Sequence, residues 1–178
     1  MHACDYQKIR KMQMELWNLK KGSFVMEIKN ICVVGGGRMG RQIALNAAIY
    51  GYGASVYDVA PAVLEDVQKW ADEYLAGRIA KGKLTEEQVA HIKSIFRVES
   101  DLAKACEGVD CVIEAVVEVE DVKHKLFQQI DKVVGKDVII ATNSSFMVSS
   151  IFAKDVSNPS RLCNMHFYNP ALVMKFVE

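Results

Sequence analysis

Short apolar runs alternate with longer amphipathic segments along residues 28–178. The amphipathic segments repeat apolar residues every three or four positions and predict helices at 38–50, 61–79 and 119–134. Thr85 opens a further short helix, after a Lys-Gly-Lys sequence at 81–83 that breaks the preceding one. The short runs predict strands at 31–34, 54–58, 96–98, 111–117, 138–142 and 161–166. Apolar strands joined by helices indicate an α/β protein with a doubly wound, mostly parallel sheet and a helical excursion after the second strand.

The apolar positions of a helix predict which of its faces packs on the sheet. In the helix at 119–134 these positions are Val119, Val122, Leu126, Ile130 and Val133. We expect His124, which lies between Lys123 and Lys125, to be exposed on the surface. His91 lies on a polar helix and His2 lies near the N-terminus, and both are also expected on the surface.

Residues 1–26 stand apart as an N-terminal extension to a domain at 27–178. Apolar residues at helical spacing predict a basic, amphipathic helix over residues 5–20, and they are Tyr6, Ile9, Met12, Leu16 and Leu19. Asp5, Glu15 and the missing apolar core argue against a signal or transit peptide. Two interpretations remain open: a helix on a membrane surface, and an extension upstream of a natural start at Met26.

Composition and charge exclude several classes of protein. The chain has 178 residues, with 22 basic and 22 acidic side chains, so no net charge attracts it to nucleic acid. No apolar run approaches the roughly 20 residues that cross a bilayer, and we expect no membrane partner. The five cysteines form no C-x-x-C pair, which argues against a metal site or a disulfide framework. Free thiols favour a reducing, cytoplasmic location.

A glycine-rich turn follows the first predicted strand. Gly35, Gly37 and Gly40 form a G-x-G-x-x-G motif whose intervening residues include Arg38 and Met39. The motif opens a helix, which is the context that a dinucleotide-binding turn requires. Gly35 permits the tight turn, Gly37 admits the pyrophosphate and Gly40 allows close packing of helix on strand. A P-loop is excluded because no Gly-Lys-Ser/Thr follows.

Asp58 follows the second predicted strand and indicates which dinucleotide binds. A carboxylate about 20 residues after the glycine turn accepts hydrogen bonds from the ribose hydroxyls, and it repels a 2′-phosphate. The cofactor predicted from this position is therefore NAD rather than NADP. The alternative is an aspartate that only stabilises a turn at the strand end.

Candidate reactive groups follow the later strands. His166 ends an apolar strand, while Glu118 and Ser144 follow two others, and ligands collect at this edge of a doubly wound sheet. Glu178 is the one acidic residue after His166. A histidine oriented by a carboxylate can deprotonate an alcohol beside a hydride acceptor. The alternative for His166 is a purely structural histidine, and the alternative for the serine pair at 144–145 is a helix cap. A serine hydrolase is also conceivable, but no G-x-S-x-G motif surrounds Ser144.

Four motifs resemble the signature of the short-chain 3-hydroxyacyl-CoA dehydrogenases. They are Gly-Gly-Gly-Arg-Met-Gly at 35–40, Glu-Ala-Val-Val-Glu at 114–118, Thr-Asn-Ser-Ser at 142–145 and Met-His-Phe-Tyr-Asn-Pro-Ala-Leu-Val-Met-Lys-Phe-Val-Glu at 165–178. The resemblance covers residues 28–178 and includes a helical insertion at 82–95. It implies a Rossmann-type domain and reversible NAD-dependent oxidation of an L-3-hydroxyacyl-CoA, 3-hydroxybutyryl-CoA in particular, to the 3-ketoacyl-CoA.

The resemblance also implies a role for each matching residue. His166 is the base, Glu178 orients it, and Ser144 contacts the substrate hydroxyl and the cofactor. Lys81 matches a basic contact to coenzyme A. The cofactor contacts are Gly35, Gly37, Arg38, Met39, Gly40, Asp58, Glu118, Lys123, Ser144 and Asn169.

The chain departs from the family in two places. Val119 stands where many members carry asparagine, and the chain stops at Glu178, where the family continues into a helical domain. The resemblance implies that this absent domain supplies the homodimer interface, a further asparagine and one wall of the acyl pocket. Two alternatives remain open: a related L-gulonate or carnitine dehydrogenase, and a catalytically silent NAD-binding module.

Overall fold

The computed structural model describes residues 27–178, which form a six-stranded sheet with helices on both faces. The strands are β1 (Asn30–Val34), β2 (Gly53–Tyr57), β3 (Phe96–Glu99), β4 (Cys111–Glu114), β5 (Ile139–Thr142) and β6 (Leu162–Asn164). They lie in the order β3-β2-β1-β4-β5-β6, and every pair is parallel. This order confirms the predicted doubly wound, Rossmann-type fold. The chain reverses direction across the sheet between β1 and β4, where such folds bind ligands.

Two hydrophobic cores lie on opposite faces of the sheet. The helices are α1 (Arg38–Ile49), α2 (Pro61–Ala80), α3 (Glu86–Ile95), α4 (Leu102–Ala105) and α5 (Glu120–Val133), with 3₁₀ helices at Ser149–Asp155 and Pro159–Arg161. Val33 packs with α1, α2 and α3, whereas its neighbours Cys32 and Val34 pack with α4, α5 and the first 3₁₀ helix. Side chains alternate between the faces of a strand, so both faces of β1 are buried.

The helical excursion after β2 confirms the prediction for this segment. Pro61 occupies the first turn of α2, where its missing N–H and restricted φ are tolerated. The capping box that starts α3 joins Thr85 and Gln88: the Gln88 amide donates to Thr85 Oγ1 at 3.1 Å, and the Thr85 amide donates to Gln88 Oε1 at 2.9 Å.

The predicted buried face of α5 is partly wrong. Val119, Val122 and Val133 are 49%, 43% and 37% exposed, although Leu126 and Ile130 are buried as expected. Lys123 and Phe127 occupy the inner face instead, and both are fully buried. The Lys123 ammonium finds two carboxylates there, and Phe127 stacks on Phe152 with ring centroids 4.5 Å apart. The helix is therefore rotated from the orientation that hydropathy alone predicts.

The prediction for His124 is also wrong. Its side chain is only 15% exposed, because Nδ1 contacts the Asp155 carboxylate and the ring packs edge-on against Phe152. The Asp155 hydrogen bond raises the pKa of His124, and Glu120 at 3.3 Å adds to this effect. Burial alone would raise the pKa of Asp155, but its hydrogen bonds from His124 and Gln128 hold it below the ordinary value. His91 is exposed as predicted.

Two strands end two or three residues earlier than the apolar runs predict. β4 ends at Glu114 because its carboxylate accepts the Val116 amide at 2.8 Å and turns the chain. β6 ends at Asn164, and the following residues pair with the end of the chain. The predicted extension at 1–26, with its helix at 5–20, lies outside the described residues. Within residues 27–178, no helix is long and apolar enough to span a membrane.

Candidate functional site

The glycine turn between β1 and α1 is closely packed on its inner side and open on its outer side. Gly35 has φ +110°, and a Cβ atom there would lie 2.6 Å from the Ala115 carbonyl oxygen. A Cβ atom on Gly40 would lie 1.8 Å from the Gly35 carbonyl oxygen. Gly37 caps α1 and is exposed, and no heavy atom lies within 4 Å of its Cβ position.

This open space at the N-terminus of α1 fits the diphosphate of a dinucleotide. The free amides of a first helical turn and the helix dipole favour an anion there. A side chain at position 37 would fill the same space. Arg38 is exposed beside the turn, and Met39 is half-buried on the first turn of α1.

Asp58 contacts the glycine turn directly. Its Oδ2 atom accepts the Gly36 amide at 2.8 Å, and its Oδ1 atom accepts the Ala60 amide at 3.0 Å. Both predicted roles are therefore compatible with the structure: the carboxylate stabilises the turn, and each oxygen retains capacity for another donor. Backbone hydrogen bonds hold the carboxylate in a fixed orientation beside the open space.

A closed ring of polar side chains joins the ends of β4 and β5. Lys123 Nζ donates to both Glu114 oxygens at 2.8 Å and to Glu118 Oε1 at 3.1 Å. Thr142 Oγ1 donates to Glu114 Oε2 at 2.7 Å, and Ser144 Oγ donates to Glu118 Oε2 at 2.7 Å. The Ser144 amide donates to Thr142 Oγ1 at 3.2 Å and closes the ring.

The members of this polar ring differ in their access to solvent. The side chains of Glu114 and Lys123 are 0% exposed, whereas the Glu118 side chain is 39% exposed. Ser144 is 2% exposed and its Oγ atom also accepts the Met147 amide at 2.9 Å, so it caps a turn as well as binding Glu118. Glu118 is therefore the member that presents a carboxylate to the surface.

His166 and Glu178 face each other across a short antiparallel pairing. Each backbone amide donates to the other residue's carbonyl oxygen, at 2.9 and 3.0 Å. The His166 Nδ1 atom lies 3.2 Å from Glu178 Oε2. When Nδ1 carries the proton, it donates to the carboxylate, and Nε2 keeps a lone pair that can accept a proton.

Four residues to which the sequence motifs gave no role support these groups. Tyr168 Oη donates to Glu178 Oε2 at 3.1 Å, and this bond raises the pKa of Tyr168. Asn143 Oδ1 accepts the Phe167 amide at 2.9 Å and ties the segment after β6 to β5. The other two, Glu114 and Thr142, belong to the polar ring. A glutamate at the end of an apolar strand is the signal that could have revealed Glu114, because a buried charge needs a partner.

Two predicted residues lie apart from these hydrogen-bonded groups. Lys81 is exposed at the C-terminus of α2, whose 20 residues span about 30 Å, and Asp58 precedes the opposite end of this helix. Asn169 is exposed next to Tyr168, on the segment that leads back to Glu178.

Comparison with known proteins shows which family shares this geometry. Residues 30–178 match the family described as "3-hydroxyacyl-CoA dehydrogenase, NAD binding domain". The chain belongs to this family. The family confirms NAD as the cofactor, in agreement with the open glycine turn and the orientation of Asp58.

Several relatives share sequence and fold with this NAD-binding domain. A probable 3-hydroxybutyryl-CoA dehydrogenase of Bacillus subtilis is 38% identical over 153 residues, which are 86% of this chain and 53% of the relative. The solved structure of (S)-3-hydroxybutyryl-CoA dehydrogenase from Ralstonia eutropha has a TM-score of 0.80 at 34% identity, over 85% of this chain and 53% of that one. The structure of 3-hydroxybutyryl-CoA dehydrogenase from Escherichia coli has a TM-score of 0.82 at 32% identity, over 85% of this chain and 32% of that one. The chain thus spans about half the length of the curated relative.

Proposed function

We propose that this chain supplies the NAD site and the catalytic base of an NAD-dependent L-3-hydroxyacyl-CoA dehydrogenase. The observation that carries the proposal is the His166–Glu178 pair, which follows β6 at the same edge of the sheet as the glycine turn. The named activity of the 3-hydroxybutyryl-CoA dehydrogenases that it resembles supports 3-hydroxybutyryl-CoA as the substrate. The reaction is reversible oxidation of the C3 hydroxyl to a ketone.

The residues that hold NAD in this proposal follow β1, β2, β4, β5 and β6. The glycine turn, with Arg38 and Met39, binds the diphosphate. On one side of the turn, Asp58 accepts hydrogen bonds from the ribose hydroxyls. On the other side lie Glu118, Ser144 and Asn169, and the fully buried Lys123 acts there by holding the Glu118 carboxylate rather than by a contact of its own. When bound, NAD⁺ supplies the acceptor for a hydride.

In the oxidation direction, His166 Nε2 removes the proton of the substrate C3 hydroxyl. The proton that Nδ1 already carries stays on the ring and donates to Glu178, so the carboxylate stabilises the imidazolium that forms. Ser144 contributes its hydroxyl to the substrate by exchanging its present hydrogen bond to Glu118 for one to the substrate oxygen, while the Met147 amide fixes its position. A positioned base of this kind contributes about 10²–10⁴-fold to the rate.

Further parts of the site come from outside the described residues in this proposal. Exposed apolar side chains surround the carboxyl edge, and they include Val117, Val119, Phe146, Val148, Val173 and Phe176. Burial of such a patch against a second, helical domain forms the acyl pocket, and Lys81 contacts coenzyme A. We also propose a homodimer in the cytoplasm, a location that the free cysteines of the described chain favour.

The proposal is tested by NADH binding and by turnover measured on separate variants. Asp58→Ala loses hydrogen bonds to charged oxygens worth about 1.5–3 kcal/mol, which weakens NADH by about 10–150-fold in a fluorescence titration. His166→Gln keeps NADH affinity, and in the full gene product it lowers acetoacetyl-CoA reduction by about 10²–10⁴-fold. The matched control is His91→Gln, which removes an exposed imidazole on α3.

Each outcome distinguishes between the functions. Unchanged NADH affinity in Asp58→Ala removes Asp58 from the cofactor site. Wild-type rates in His166→Gln remove the base. A full gene product that binds NADH and oxidises L-gulonate or carnitine, but no 3-hydroxyacyl-CoA, belongs to the alternative dehydrogenase class. One that binds NADH and oxidises none of these substrates is a silent module.

A further inference from the structure

Glu114 contacts the candidate site only through other residues. It lies at the end of β4, is 0% exposed, and accepts four hydrogen bonds, from Val116, Thr142 and twice from Lys123. All contacts of its carboxylate are inside the protein. A role for Glu114 at the site must therefore act through Lys123 and Glu118.

The charges in the polar ring do not cancel. One ammonium, Lys123, stands between two carboxylates, so Glu114, Lys123 and Glu118 together carry a formal charge of −1. The Lys123 Nζ atom has three N–H groups, and its three oxygen contacts all belong to these carboxylates. Glu114 and Lys123 form a buried, neutral inner pair, and the excess negative charge resides on the half-exposed Glu118.

The sheet order brings this charge close to one end of the cofactor. Asp58 follows β2, and the glycine turn follows β1, so a dinucleotide with its ribose on Asp58 extends from the turn across β4 and β5. Those strands carry the polar ring at their carboxyl ends. The nicotinamide half has a positive ring in NAD⁺ and a neutral ring in NADH.

We infer that Glu114 is a positioning residue that neutralises Lys123 and so leaves the negative charge of Glu118 uncancelled, and that the resulting negative field favours NAD⁺ over NADH. This inference rests on the proposed function, because it requires NAD to bind across β4 and β5. Salt screens buried charges much less than exposed ones. Removal of the buried charge of Glu114 therefore changes the electrostatic field at the nicotinamide.

Three variants separate this electrostatic role from a merely structural one. Glu114→Gln makes the ring neutral, whereas the double variant Glu114→Gln/Lys123→Met restores the formal charge of −1 with the inner pair removed. Thr142→Val deletes one hydrogen bond to Glu114 without a change of charge. Asp121→Asn is the surface control, because it removes an exposed carboxylate from the first turn of α5.

The readout is the ratio of the dissociation constants of NAD⁺ and NADH, measured by calorimetry on each variant. We expect Glu114→Gln to weaken NAD⁺ about 3–10-fold more than NADH, equivalent to about 0.7–1.4 kcal/mol. The double variant recovers the wild-type ratio, and both Thr142→Val and Asp121→Asn retain it. Thermal unfolding of each protein verifies that the folded fraction is being titrated.

The results that overturn the inference differ from those that overturn the proposed function. Equal weakening of NAD⁺ and NADH in Glu114→Gln, or a double variant with the same altered ratio, means that Glu114 has a structural role alone. A wild-type chain that binds neither form of the cofactor, or an Asp58→Ala variant with undiminished affinity, contradicts the proposed NAD site itself.

Discussion

Alanine at position 37 should weaken cofactor binding and leave the fold intact. The new methyl group meets no heavy atom within 4 Å, and the backbone there has φ −65°, which any residue adopts. Alanine caps a helix less well than glycine by a few tenths to about 1 kcal/mol. It also reduces the entropy of the unfolded chain, which stabilises the fold by about 0.4–1 kcal/mol. These two effects nearly cancel.

The same methyl group occupies the open space in front of the α1 amides. A diphosphate displaced from that space loses at least one hydrogen bond to a charged group, worth about 1.5–3 kcal/mol. We therefore expect Gly37→Ala to weaken NADH by about 10–150-fold. Its unfolding midpoint should stay within about 4 °C of the wild type.

Gly40→Ala is the matched comparison, with the same chemical change in the same turn. Its Cβ atom would lie 1.8 Å from the Gly35 carbonyl oxygen, and the backbone must move until the separation exceeds 3.0 Å. Overpacking of this kind costs about 1–3 kcal/mol or more, so we expect a midpoint lower by about 2–12 °C. NADH fluorescence titration and thermal circular dichroism measure both quantities. Undiminished NADH affinity in Gly37→Ala, or wild-type stability in Gly40→Ala, would refute the reasoning.

Three further predictions follow from the ionisable groups and from the length of the chain. Because Asp155 raises the pKa of His124, this pair stabilises the fold fully below about pH 6.5, and the contribution is lost as the pH rises through the raised pKa. The free energy of unfolding in urea, measured against pH, should show this loss in the wild type and not in His124→Gln. Glu178→Gln removes the partner of Tyr168 and should lower the pKa of Tyr168 toward its ordinary value, as read by ultraviolet titration with Tyr168→Phe as the reference. The isolated 178-residue chain should bind NADH in the micromolar range with negligible acetoacetyl-CoA reduction, and robust turnover would contradict the need for a second domain.

The sequence alone determined the features whose cause is local. Alternation of apolar runs predicts the strands and helices because each element buries one face or two. The capping residue Thr85 and the glycines of the turn act on neighbours a few positions away, so their spacing is visible in the chain. The family signature at 165–178 pointed to His166 and Glu178 as a pair, and the structure has their side chains 3.2 Å apart.

Only the tertiary structure decided which polar groups are buried together. Asp155 reaches His124 from 31 residues away, and Thr142 reaches Glu114 from 28 residues away. Neither partner is marked by any local spacing, so hydropathy places His124 in solvent and gives no sign that Lys123 is buried. A charged side chain can be buried only where a group of opposite charge or a hydrogen-bonding group lies within contact distance. Such partners are brought together by the packing of α5 against the sheet, and that packing is a property of the whole fold.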